Sequence, residues 1–350
     1  MSLYLAPTAA AASAAGTATL PRRRLVLSPI DIRRQPERRD MALVMPPPPL
    51  PPPPPLVGAN RHMPAGAKHK AVVVMGATGT GKTRLAVDLA LRFDGEVINS
   101  DKIQLYAGLD VVTNKASDEE CAGVPHHLLG VAHPDAEFTA EDFRREASRA
   151  ARAVTARGRI PIIAGGSNSY IKELVDGDGR AFRERYDCCF LWVDVQLPVL
   201  HGFVDRRVDA MRGRGLVEEV AAVFDPRRTD YSRGVWSAIG VPELDAYLRS
   251  CCEQDRSRLL DIAVEEIKSN TRRLSCRQRQ KIQRLAKLWR VGRVDATEAF
   301  QVGGHAADGV WERLVAAPCI AAVRAFLHDD LTAPIVPLFP PTATVMAATL

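Results

Sequence analysis

Between residues 70 and 200, short runs of apolar residues alternate with longer amphipathic segments. The apolar runs are VVVM, EVIN, IPII and CFLWV, and each has the length of a buried strand. TRLAVDLALRF, after the first run, has the residue spacing of a helix. FTAEDFRREASRAARAVTARG, before the third run, is a second helix, with Thr139 as N-cap, Asp142 three residues on and Gly158 as its stop. Strands that alternate with helices predict an α/β fold with a parallel sheet.

The chain beyond the fourth run is predicted to be mainly helical. Pro198 stands at the favoured first position of a helix that runs through VLHGFVDRRVDAMRGRG. The segment from Asp255 to Trp289 has apolar residues at spacings of three and four, which predicts one or two helices packed beside the sheet. VGRVDATEAF indicates a last short strand, and the residues after Gly303 have no readable pattern.

A glycine-rich loop, GATGTGKT, joins the first strand to the first helix and fits the pattern G-x-x-x-x-G-K-T. Its glycines allow backbone N–H groups to surround a phosphate, while the lysine adds charge and the last threonine offers a hydroxyl to Mg²⁺. We therefore expect Mg²⁺ as the cofactor, held through Thr83, and a P-loop NTPase-like parallel sheet flanked by helices, with a helical C-terminal part. The predicted phosphate-binding residues are Gly76, Ala77, Thr78, Gly79, Thr80, Gly81, Lys82 and Thr83.

The acidic residue best placed near the phosphates follows the second strand. An ordinary ATPase or kinase has a Walker B acid after a buried strand, but the third strand here ends in Gly165 and Gly166. Asp194, at the end of the fourth strand, could serve as this acid, but a strand-end or helix-capping role is favoured. The second strand delivers Ser100 and Asp101 to the edge where ligands bind in parallel sheets. Asp101 is therefore a candidate Mg²⁺ ligand or general base, and spacing alone leaves both roles open.

The charge of the chain is concentrated at its amino terminus. The net charge is +6 over 350 residues, but Met1 to Lys70 contains ten Lys and Arg against three Asp and Glu, which leaves 37 basic and 38 acidic residues in the remainder. That remainder lacks the electrostatic footprint of a nucleic-acid-binding protein, so no stable nucleic acid partner is expected. No apolar run is long enough to span a membrane, and no membrane partner is expected.

The first 69 residues are predicted to be a leader. The first 29 are rich in Ala, Ser and Thr, lack acidic residues and contain Arg22, Arg23 and Arg24, which is typical of an organellar transit peptide. The segment Pro46 to Pro55 is nearly all proline and is interpreted as a semi-rigid spacer. Plastid localisation is expected, with a disordered cytosolic tail as the alternative. The predicted organisation is a leader over 1–69, a P-loop domain over 70–300 and a C-terminal tail over 301–350.

The seven cysteines and the adjacent His126 and His127 do not predict a metal site. No two cysteines have the C-x₂-C or C-x₄-C spacing of a zinc site, so reduced thiols are expected. Adjacent histidines point in different directions, and a structural or substrate-loop role is favoured for this pair.

Several segments together resemble the isopentenyltransferases, and their residues are similar to those of the plant adenylate group that makes cytokinins. The resemblance covers about Lys70 to Phe300. The segments, in chain order, are GATGTGKTRLAVDLA, EVINSDKIQLYAGLDVVTNK, GVPHHLLG, FTAEDF, PIIAGGSNSYIKELV, YDCCFLWVDV, LPVLHGFVDRRVDAM, AIGVPEL and RQRQKIQRL.

The resemblance implies a prenyl transfer rather than a phosphoryl transfer. In this family the loop holds the diphosphate of dimethylallyl diphosphate, and the N6 amine of an adenine nucleotide displaces it. The resemblance assigns the general base to Asp101 and stabilisation of the leaving group to Lys82 and Thr83 with Mg²⁺. It places Thr113 and Lys115 near the diphosphate, and Ser167 and Asn168 at the substrate channel. We expect a monomer whose partners are these two substrates.

One departure from the family lies at RGVWSAIGVPE, where plant relatives typically read RGIRRAIGVPE. Trp236 and Ser237 replace two arginines, and a serine lacks the bidentate contact that the second arginine makes with the diphosphate. Arg233 is the candidate replacement. Two alternatives therefore stay open within the family: a tRNA dimethylallyltransferase and a nucleotide-binding paralogue with impaired catalysis. Because tRNA enzymes typically read GGTG where this chain reads GGSN, the free nucleotide is favoured. A nucleotide kinase or ATPase is the remaining enzyme class.

Overall fold

The apolar runs form the strands of one parallel sheet in the computed structural model, which describes residues 67–304 and 306–328. The sheet order is β3-β2-β4-β1-β5-β6, and every pairing in it is parallel. This confirms the predicted fold class. The strands are β1 (His69–Gly76), β2 (Gly95–Asn99), β3 (His126–His127), β4 (Ile160–Gly165), β5 (Tyr186–Asp194) and β6 (Val291–Asp295).

Helices cover both faces of the sheet. The α-helices are α1 (Lys82–Phe93), α2 (Asp118–Cys121), α3 (Ala140–Ala156), α4 (Asn168–Asp176), α5 (Ala181–Arg185), α6 (Leu197–Gly213), α7 (Leu216–Ala222), α8 (Asp245–Arg249), α9 (Glu253–Leu285), α10 (Thr297–Gln301), α11 (Ala306–Trp311) and α12 (Ala317–Leu327). Short 3₁₀ turns lie at Ile103–Leu105, Asp178–Arg180, Gly234–Ser237 and Pro242–Leu244, and a π-helical turn at Glu312–Ala316 joins α11 to α12.

The position of β1 decides where a ligand can bind. β1 lies between β4 and β5, with Val74 opposite Ala164 on one side and Leu191 on the other. The chain leaves β1 for β2 on one side and later crosses to β5 on the other. In parallel sheets such a reversal opens a crevice at the carboxyl ends of the strands. The residues after β1, β2 and β4 therefore converge at this edge.

The two faces of β1 belong to two separate parts of the core. Val72 and Val74 pack with residues of α1, α6 and α12, whereas Val73 and Met75 pack with residues of α3, α4 and α9. Because β1 is buried on both faces, it has the continuous apolar sequence of a central parallel strand.

Several local predictions are confirmed and one is wrong by a residue. Thr139 caps α3 in a reciprocal capping box with Asp142, and α9 is one continuous helix. α6 begins at Leu197, so Pro198 occupies the second helical position rather than the first. Both positions lack an intrahelical acceptor for the N–H group, which is why proline is tolerated at either.

The residues after Gly303, which had no readable pattern, form helices that pack against the phosphate loop. A Cβ on Gly81 would lie 2.5 Å from the ring of Trp311, and the φ of Gly81 is +84°, so this loop position requires glycine. Trp311 also donates from Nε1 to Asp88 Oδ2 over 3.0 Å. The described part of the C-terminal segment is therefore attached to the core.

The predicted leader lies almost entirely outside the described residues. β1 begins at His69, which is paired with Tyr186, so the ordered domain starts before residue 70. The transit-peptide and polyproline predictions, and the last 22 residues, fall in the undescribed segments. Among the helices of residues 67–304 and 306–328, none has the length and apolar character needed to cross a membrane.

Candidate active site at the carboxyl edge of the sheet

The loop between β1 and α1 has a conformation that depends on its glycines. Gly79 and Gly81 both have a φ of +84°, a region that other residues rarely adopt. A Cβ on Gly76 would lie 2.4 Å from Thr80 Oγ1 and 2.8 Å from the Val193 carbonyl. Thr80 is buried and donates to the Ala77 carbonyl from its hydroxyl over 3.0 Å. The predicted phosphate loop is thus a compact turn before the first residue of α1.

Lys82 places a cation inside this turn. Its Nζ donates to the Ala77 carbonyl over 2.7 Å. Burial lowers the pKa of Lys82 to about 8; the charge of Asp101 opposes this shift, and that of Arg207 adds to it. Thr83, the next residue, is exposed in the first turn of α1.

Arg207 is a second cation at the loop, and sequence reasoning missed it. From α6 its Nη2 donates to Thr78 Oγ1 over 2.9 Å, while its buried Nε has no hydrogen-bond partner among the described residues. Burial also lowers the pKa of Arg207, and the charge of Asp101 opposes this effect. Arg207 lies in the run VLHGFVDRRVDAM, but the helical spacing of that run did not indicate which of its charged residues faces the loop.

Asp101 reaches the same place from the end of β2. Its backbone N–H donates to Asn99 Oδ1 over 3.1 Å, and its Oδ1 accepts the backbone N–H of Ile103 over 3.2 Å. Asp101 influences the pKa of both Lys82 and Arg207, so the acid and the two cations share one electrostatic environment. The structure therefore brings the predicted base and the phosphate loop together.

The glycine turn after β4 explains why this strand carries no Walker B acid. A Cβ on Gly165 would lie 2.4 Å from the carbonyl carbon of Ser100, and a Cβ on Gly166 would lie 3.2 Å from Asp101 Oδ2. The end of β4 thus packs against the backbone that carries Asp101, and a side chain here would displace it.

Ser167 and Asn168 lie directly after this turn. Ser167 Oγ accepts the backbone N–H of Lys102 over 2.8 Å. Asn168 is buried and donates from Nδ2 to the Gly166 and Gln278 carbonyls, whereas its Oδ1 has no partner among the described residues. A buried acceptor left without a partner is a position from which a substrate group can be bound. The predicted substrate-channel role of both residues stays a prediction.

Gln278 is the other site residue that sequence reasoning missed. It is buried on α9, and its Oε1 accepts the backbone N–H of Thr78 over 2.7 Å. Its Nε2 donates to the Gly166 carbonyl over 3.0 Å. The residue lies in the basic run RRLSCRQRQK, whose charges gave no sign that the glutamine faces inward.

Thr113 and Lys115 make local contacts in a turn near the site. Thr113 Oγ1 donates to the Leu109 carbonyl over 2.7 Å, and Lys115 Nζ contacts Asp110 Oδ1 at 2.7 Å. Gln104 joins this turn to the segment after Asp101 by donating to the Thr113 carbonyl over 3.2 Å. Their role at the diphosphate stays a prediction.

Arg233 is exposed in the loop that departs from the isopentenyltransferase pattern, and it lines a surface pocket with Trp236. Trp236 Nε1 donates to Asp135 Oδ1 over 2.6 Å, and the guanidinium of Arg228 lies 3.8 Å from the centre of the Trp236 ring. Ser237 Oγ donates to the Gly234 carbonyl over 2.9 Å. The compensating role of Arg233 stays a prediction.

Asp194 has a structural role at the end of β5. It is buried and accepts two hydrogen bonds from Arg279, at 2.9 and 3.0 Å, and its Oδ2 lies 2.7 Å from Arg293 Nη2. It therefore joins α9 and β6 to the strand next to β1.

The two histidines form β3 and are engaged in structural contacts. His127 Nε2 lies 2.6 Å from Glu96 Oε2, and His126 Nδ1 lies 2.8 Å from the Val124 carbonyl. In the described part of the chain, no group of three or more His, Cys, Asp or Glu residues is arranged to hold a metal ion.

Comparison with known proteins identifies relatives over about three quarters of the chain. The family model for IPP transferase matches residues 104–184 and 177–284. Adenylate isopentenyltransferase 5, chloroplastic, of Arabidopsis thaliana is 59% identical over 272 residues, which cover 75% of this chain and 82% of the relative. Adenylate isopentenyltransferase 3, chloroplastic, of the same plant is 55% identical over 76% of this chain and 81% of the relative. Adenylate isopentenyltransferase 7, mitochondrial, is 54% identical over 75% of this chain and 82% of the relative.

Solved structures share the fold at lower sequence identity. A eukaryotic dimethylallyltransferase acting on tRNA superposes with a TM-score of 0.62 at 23% identity, covering 75% of this chain and 80% of its own. A tRNA isopentenylpyrophosphate transferase from Bacillus halodurans gives a TM-score of 0.59 at 24% identity, covering 75% of this chain and 100% of its own.

Proposed function

The chain belongs to the IPP transferase family, and we propose on this premise that it transfers the dimethylallyl group of dimethylallyl diphosphate to the N6 amine of ATP or ADP. It is an adenylate dimethylallyltransferase, and its reaction is the first step in making a cytokinin. The observation that carries this conclusion is 54–59% identity to adenylate isopentenyltransferases over three quarters of the chain. The tRNA-modifying alternative rests on structures at 23% and 24% identity, which share the fold alone.

The phosphate loop and its two cations are suited to hold the diphosphate of the donor. Gly79 and Gly81 shape a turn in which backbone N–H groups can face an anion, and α1 adds the positive end of its dipole. Lys82 and Arg207 add charge through their contacts with the adjacent loop residues Ala77 and Thr78. These groups stabilise the negative charge that grows on the diphosphate as its bond to carbon breaks.

Asp101 is suited to take the proton of the acceptor. The N6 lone pair attacks C1 of the dimethylallyl group, the C1–O bond breaks, and diphosphate leaves with the bonding electrons. The N6 amine is a weak nucleophile because its lone pair is delocalised into the adenine ring, so loss of its proton must accompany bond formation. The hydrogen bonds to Asn99 and Ile103 hold the Asp101 backbone and carboxylate in place for this step.

The residues at the loop fit Mg²⁺ only together with a diphosphate. Magnesium sites commonly use one or two protein oxygens, with substrate phosphates and waters completing the octahedron. Thr83 offers an exposed hydroxyl beside the loop, and Asp101 is the nearby carboxylate. When bound, the ion would neutralise charge on the leaving diphosphate. We propose Thr83 as its protein ligand.

Two further properties follow from the same premise. Relatives at 59% and 55% identity are named chloroplastic and one at 54% is named mitochondrial, which supports a plastid location over the cytosolic alternative. We also propose that the protein acts as a monomer, without a stably bound nucleic acid.

The purified protein can be assayed with dimethylallyl diphosphate and ATP, ADP, AMP or unmodified tRNA, and the prenylated product identified by mass spectrometry. We expect prenylated ATP and ADP, with AMP a poorer acceptor and tRNA unmodified. A product profile dominated by AMP or tRNA would overturn the acceptor assignment. Retained nucleotide binding without any product would identify a paralogue with impaired catalysis. This alternative is considered because Trp236 and Ser237 stand where plant relatives typically have two arginines. Release of γ-phosphate without prenyl transfer would identify a kinase or ATPase.

A further inference from the structure

One amide side chain joins the phosphate loop to the glycine turn after β4. Gln278 Oε1 accepts the backbone N–H of Thr78, at 2.7 Å, and Gln278 Nε2 donates to the Gly166 carbonyl, at 3.0 Å. Thr78 belongs to the phosphate loop after β1, and Gly166 belongs to the turn after β4. The amide thus connects neighbouring strands at the edge where their backbones have stopped pairing with each other.

The contacts of Gln278 are specific to an amide. The side chain is buried, its oxygen accepts the N–H group of Thr78, and its nitrogen donates to the Gly166 carbonyl, which also accepts the backbone N–H of Asn168 over 3.1 Å. The amides of Asn and Gln present a donor and an acceptor on one planar group without a change of ionisation, and Asn is one methylene shorter. A Cβ on Gly166 would lie 2.5 Å from Gln278 Nε2, so the glycine turn and the amide are in direct contact.

The glycine turn also lies beside the proposed base, since the next residue, Ser167, donates its backbone N–H to the Ser100 carbonyl over 3.2 Å and accepts the Lys102 N–H at Oγ over 2.8 Å. The same Cβ on Gly166 would lie 3.2 Å from Asp101 Oδ2, and a Cβ on Gly165 would lie 2.6 Å from the Asp101 backbone nitrogen. Hydrogen bonds therefore connect Thr78 through Gln278 to Gly166, and the turn that contains Gly166 packs beside Asp101. The loop that holds the leaving group is thereby joined to the turn beside the carboxylate that takes the proton.

We propose that Gln278 is a positioning residue that sets the separation between the phosphate loop and Asp101. The inference rests on the proposed function, because the separation matters only if both groups act in one displacement. Donor, acceptor and base must be aligned when N6 attacks C1, and a displacement of about 1 Å at such a site can cost a hundredfold in rate. The side-chain amide of Gln278 is occupied by the backbone of Thr78 and Gly166, so its proposed action is through them.

The alternative role for the same contacts is a gate. Gln278 Oε1 occupies an N–H group of the phosphate loop that a diphosphate oxygen can also use. If the donor has to displace the amide, removing the amide lowers the KM for dimethylallyl diphosphate and leaves kcat unchanged. A positioning role has the opposite signature, since kcat falls while the KM changes little.

Three variants separate these roles. Gln278→Met keeps the length of the side chain and removes both hydrogen bonds, whereas Gln278→Glu keeps the acceptor and loses the donor. Gln280→Met is the matched control, because Gln280 is exposed on the same helix. We expect kcat to fall at least tenfold in Gln278→Met, with the donor KM within threefold of wild type and Gln280→Met unchanged. A kcat within twofold of wild type, or a lower KM alone, overturns the proposal.

The Asp101→Asn background tests whether Gln278 acts through the base. If Gln278 positions Asp101, Gln278→Met should cost much less in a protein that already lacks the base. A Gln278→Met effect as large in that background as in wild type contradicts positioning through Asp101.

Amide hydrogen exchange tests the connection without relying on catalysis. We expect residues 76–83 and 165–168 to exchange at least tenfold faster in Gln278→Met than in wild type, and within twofold of wild type in Gln280→Met. Equal exchange in both variants overturns the inference even if the enzyme is active. An inactive wild type with this exchange pattern would instead reject the proposed function and keep the structural connection.

Discussion

At the scale of single residues, the site combines the Asp101 carboxylate with two cations, Lys82 and Arg207, whose pKa values are lowered by burial. Burial favours the neutral form of Lys82, and the neighbouring charge of Arg207 adds to that effect, while Asp101 opposes it. A diphosphate brings negative charge into the same loop and favours the charged lysine. The charge of Lys82 in the free protein is therefore more sensitive to pH than that of an exposed lysine.

The dependence of kcat/KM on pH should reveal the ionisation of Lys82. Its pKa in the folded protein is about 8, below the usual 10.5, so the free protein loses this cation as the pH rises through 8. We expect kcat/KM for dimethylallyl diphosphate to fall above pH 8, because this ratio reports the ionisation of the free enzyme. Lys82→Arg keeps its charge at these pH values and should lack the fall. A wild-type profile that stays flat to pH 9.5 contradicts the assignment.

Replacement of Asp101 by asparagine tests the base directly. Asp101→Asn keeps the size of the side chain but removes the proton acceptor, so kcat should fall on the order of a hundredfold or more. Binding of inorganic pyrophosphate, measured by calorimetry, should stay close to that of the wild type. Normal turnover in a folded Asp101→Asn protein rejects the general-base role.

Replacing Ser237 by the arginine that is typical of plant relatives should raise the activity of the enzyme. If an arginine at this position contacts the diphosphate, Ser237→Arg should add a charge-assisted contact of roughly 1.5–3 kcal/mol. That range corresponds to a gain in kcat/KM of about tenfold to a hundredfold. Trp236 is already engaged by Asp135 and Arg228, so it is left unchanged.

Steady-state kinetics with Ser232→Arg as the control separates a specific contact from added positive charge, because Ser232 is exposed in the same loop. Equal constants in wild type and Ser237→Arg would show that the diphosphate is bound by another route.

At the scale of elements, one carboxylate joins the edge of the sheet to the turn between α3 and β4. Glu96 of β2 is 2% exposed and accepts hydrogen bonds from Arg157 at 2.6 and 3.1 Å and from Arg159 at 3.2 Å, and it also contacts His127 of β3. Burial acts to raise the pKa of Glu96, but the hydrogen bonds from Arg157, His127 and Arg159 outweigh it and hold the pKa at about 2. The network therefore favours the ionised carboxylate.

The stability of the fold should depend on this carboxylate in acid. Because the folded pKa lies below the unfolded value of about 4.5, the contribution is complete above pH 4.5 and is lost as the pH falls towards 2. We expect Glu96→Gln to lower the free energy of unfolding by about 2–3 kcal/mol at pH 7 and by less at pH 3. Urea titrations at both pH values measure this. Glu137→Gln, at an exposed acid, should change stability by less than about 0.5 kcal/mol. A Glu96→Gln cost that does not shrink at pH 3 contradicts the linkage.

At the scale of the whole molecule, the ordered domain and the leader should act independently. β1 begins at His69, and Lys70 forms an ion pair with Asp187 at 3.3 Å, so a deletion that includes both residues removes part of the sheet. A deletion of residues 1–66 leaves β1 complete. We expect this protein to keep kcat within twofold of the full chain, and to lose plastid import.

Import of a fluorescent fusion tests the second half of that prediction. Residues 1–69 should direct the reporter to plastids, because their composition is that of a transit peptide. A reporter that stays cytosolic favours the alternative of a disordered tail. A large loss of kcat in the shortened protein would show that the leader contributes to the domain.

Much of the fold was predictable from the sequence because its signals are local. The strand β1 is an apolar run, the phosphate loop is a pattern of eight residues, and the capping box of α3 joins Thr139 to a residue three positions on. Prediction failed where the signal was short or distant. β3 has only two residues, and the helices after Gly303 follow no clear period, although Trp311 packs on Gly81.

The sequence by itself determined the parallel α/β architecture, the phosphate loop and Asp101 as the acid beside it, and its resemblance to the isopentenyltransferases indicated the reaction. Only the tertiary structure decided which other side chains complete the site. Arg207 contacts Thr78 across 129 positions of the chain, and Gln278 contacts it across 200. Both lie on charged helical runs in which every polar residue has the same local pattern. The packing of α6 and α9 against the sheet decides which polar residue of each helix faces the phosphate loop. The spacing of residues within either helix does not contain that information.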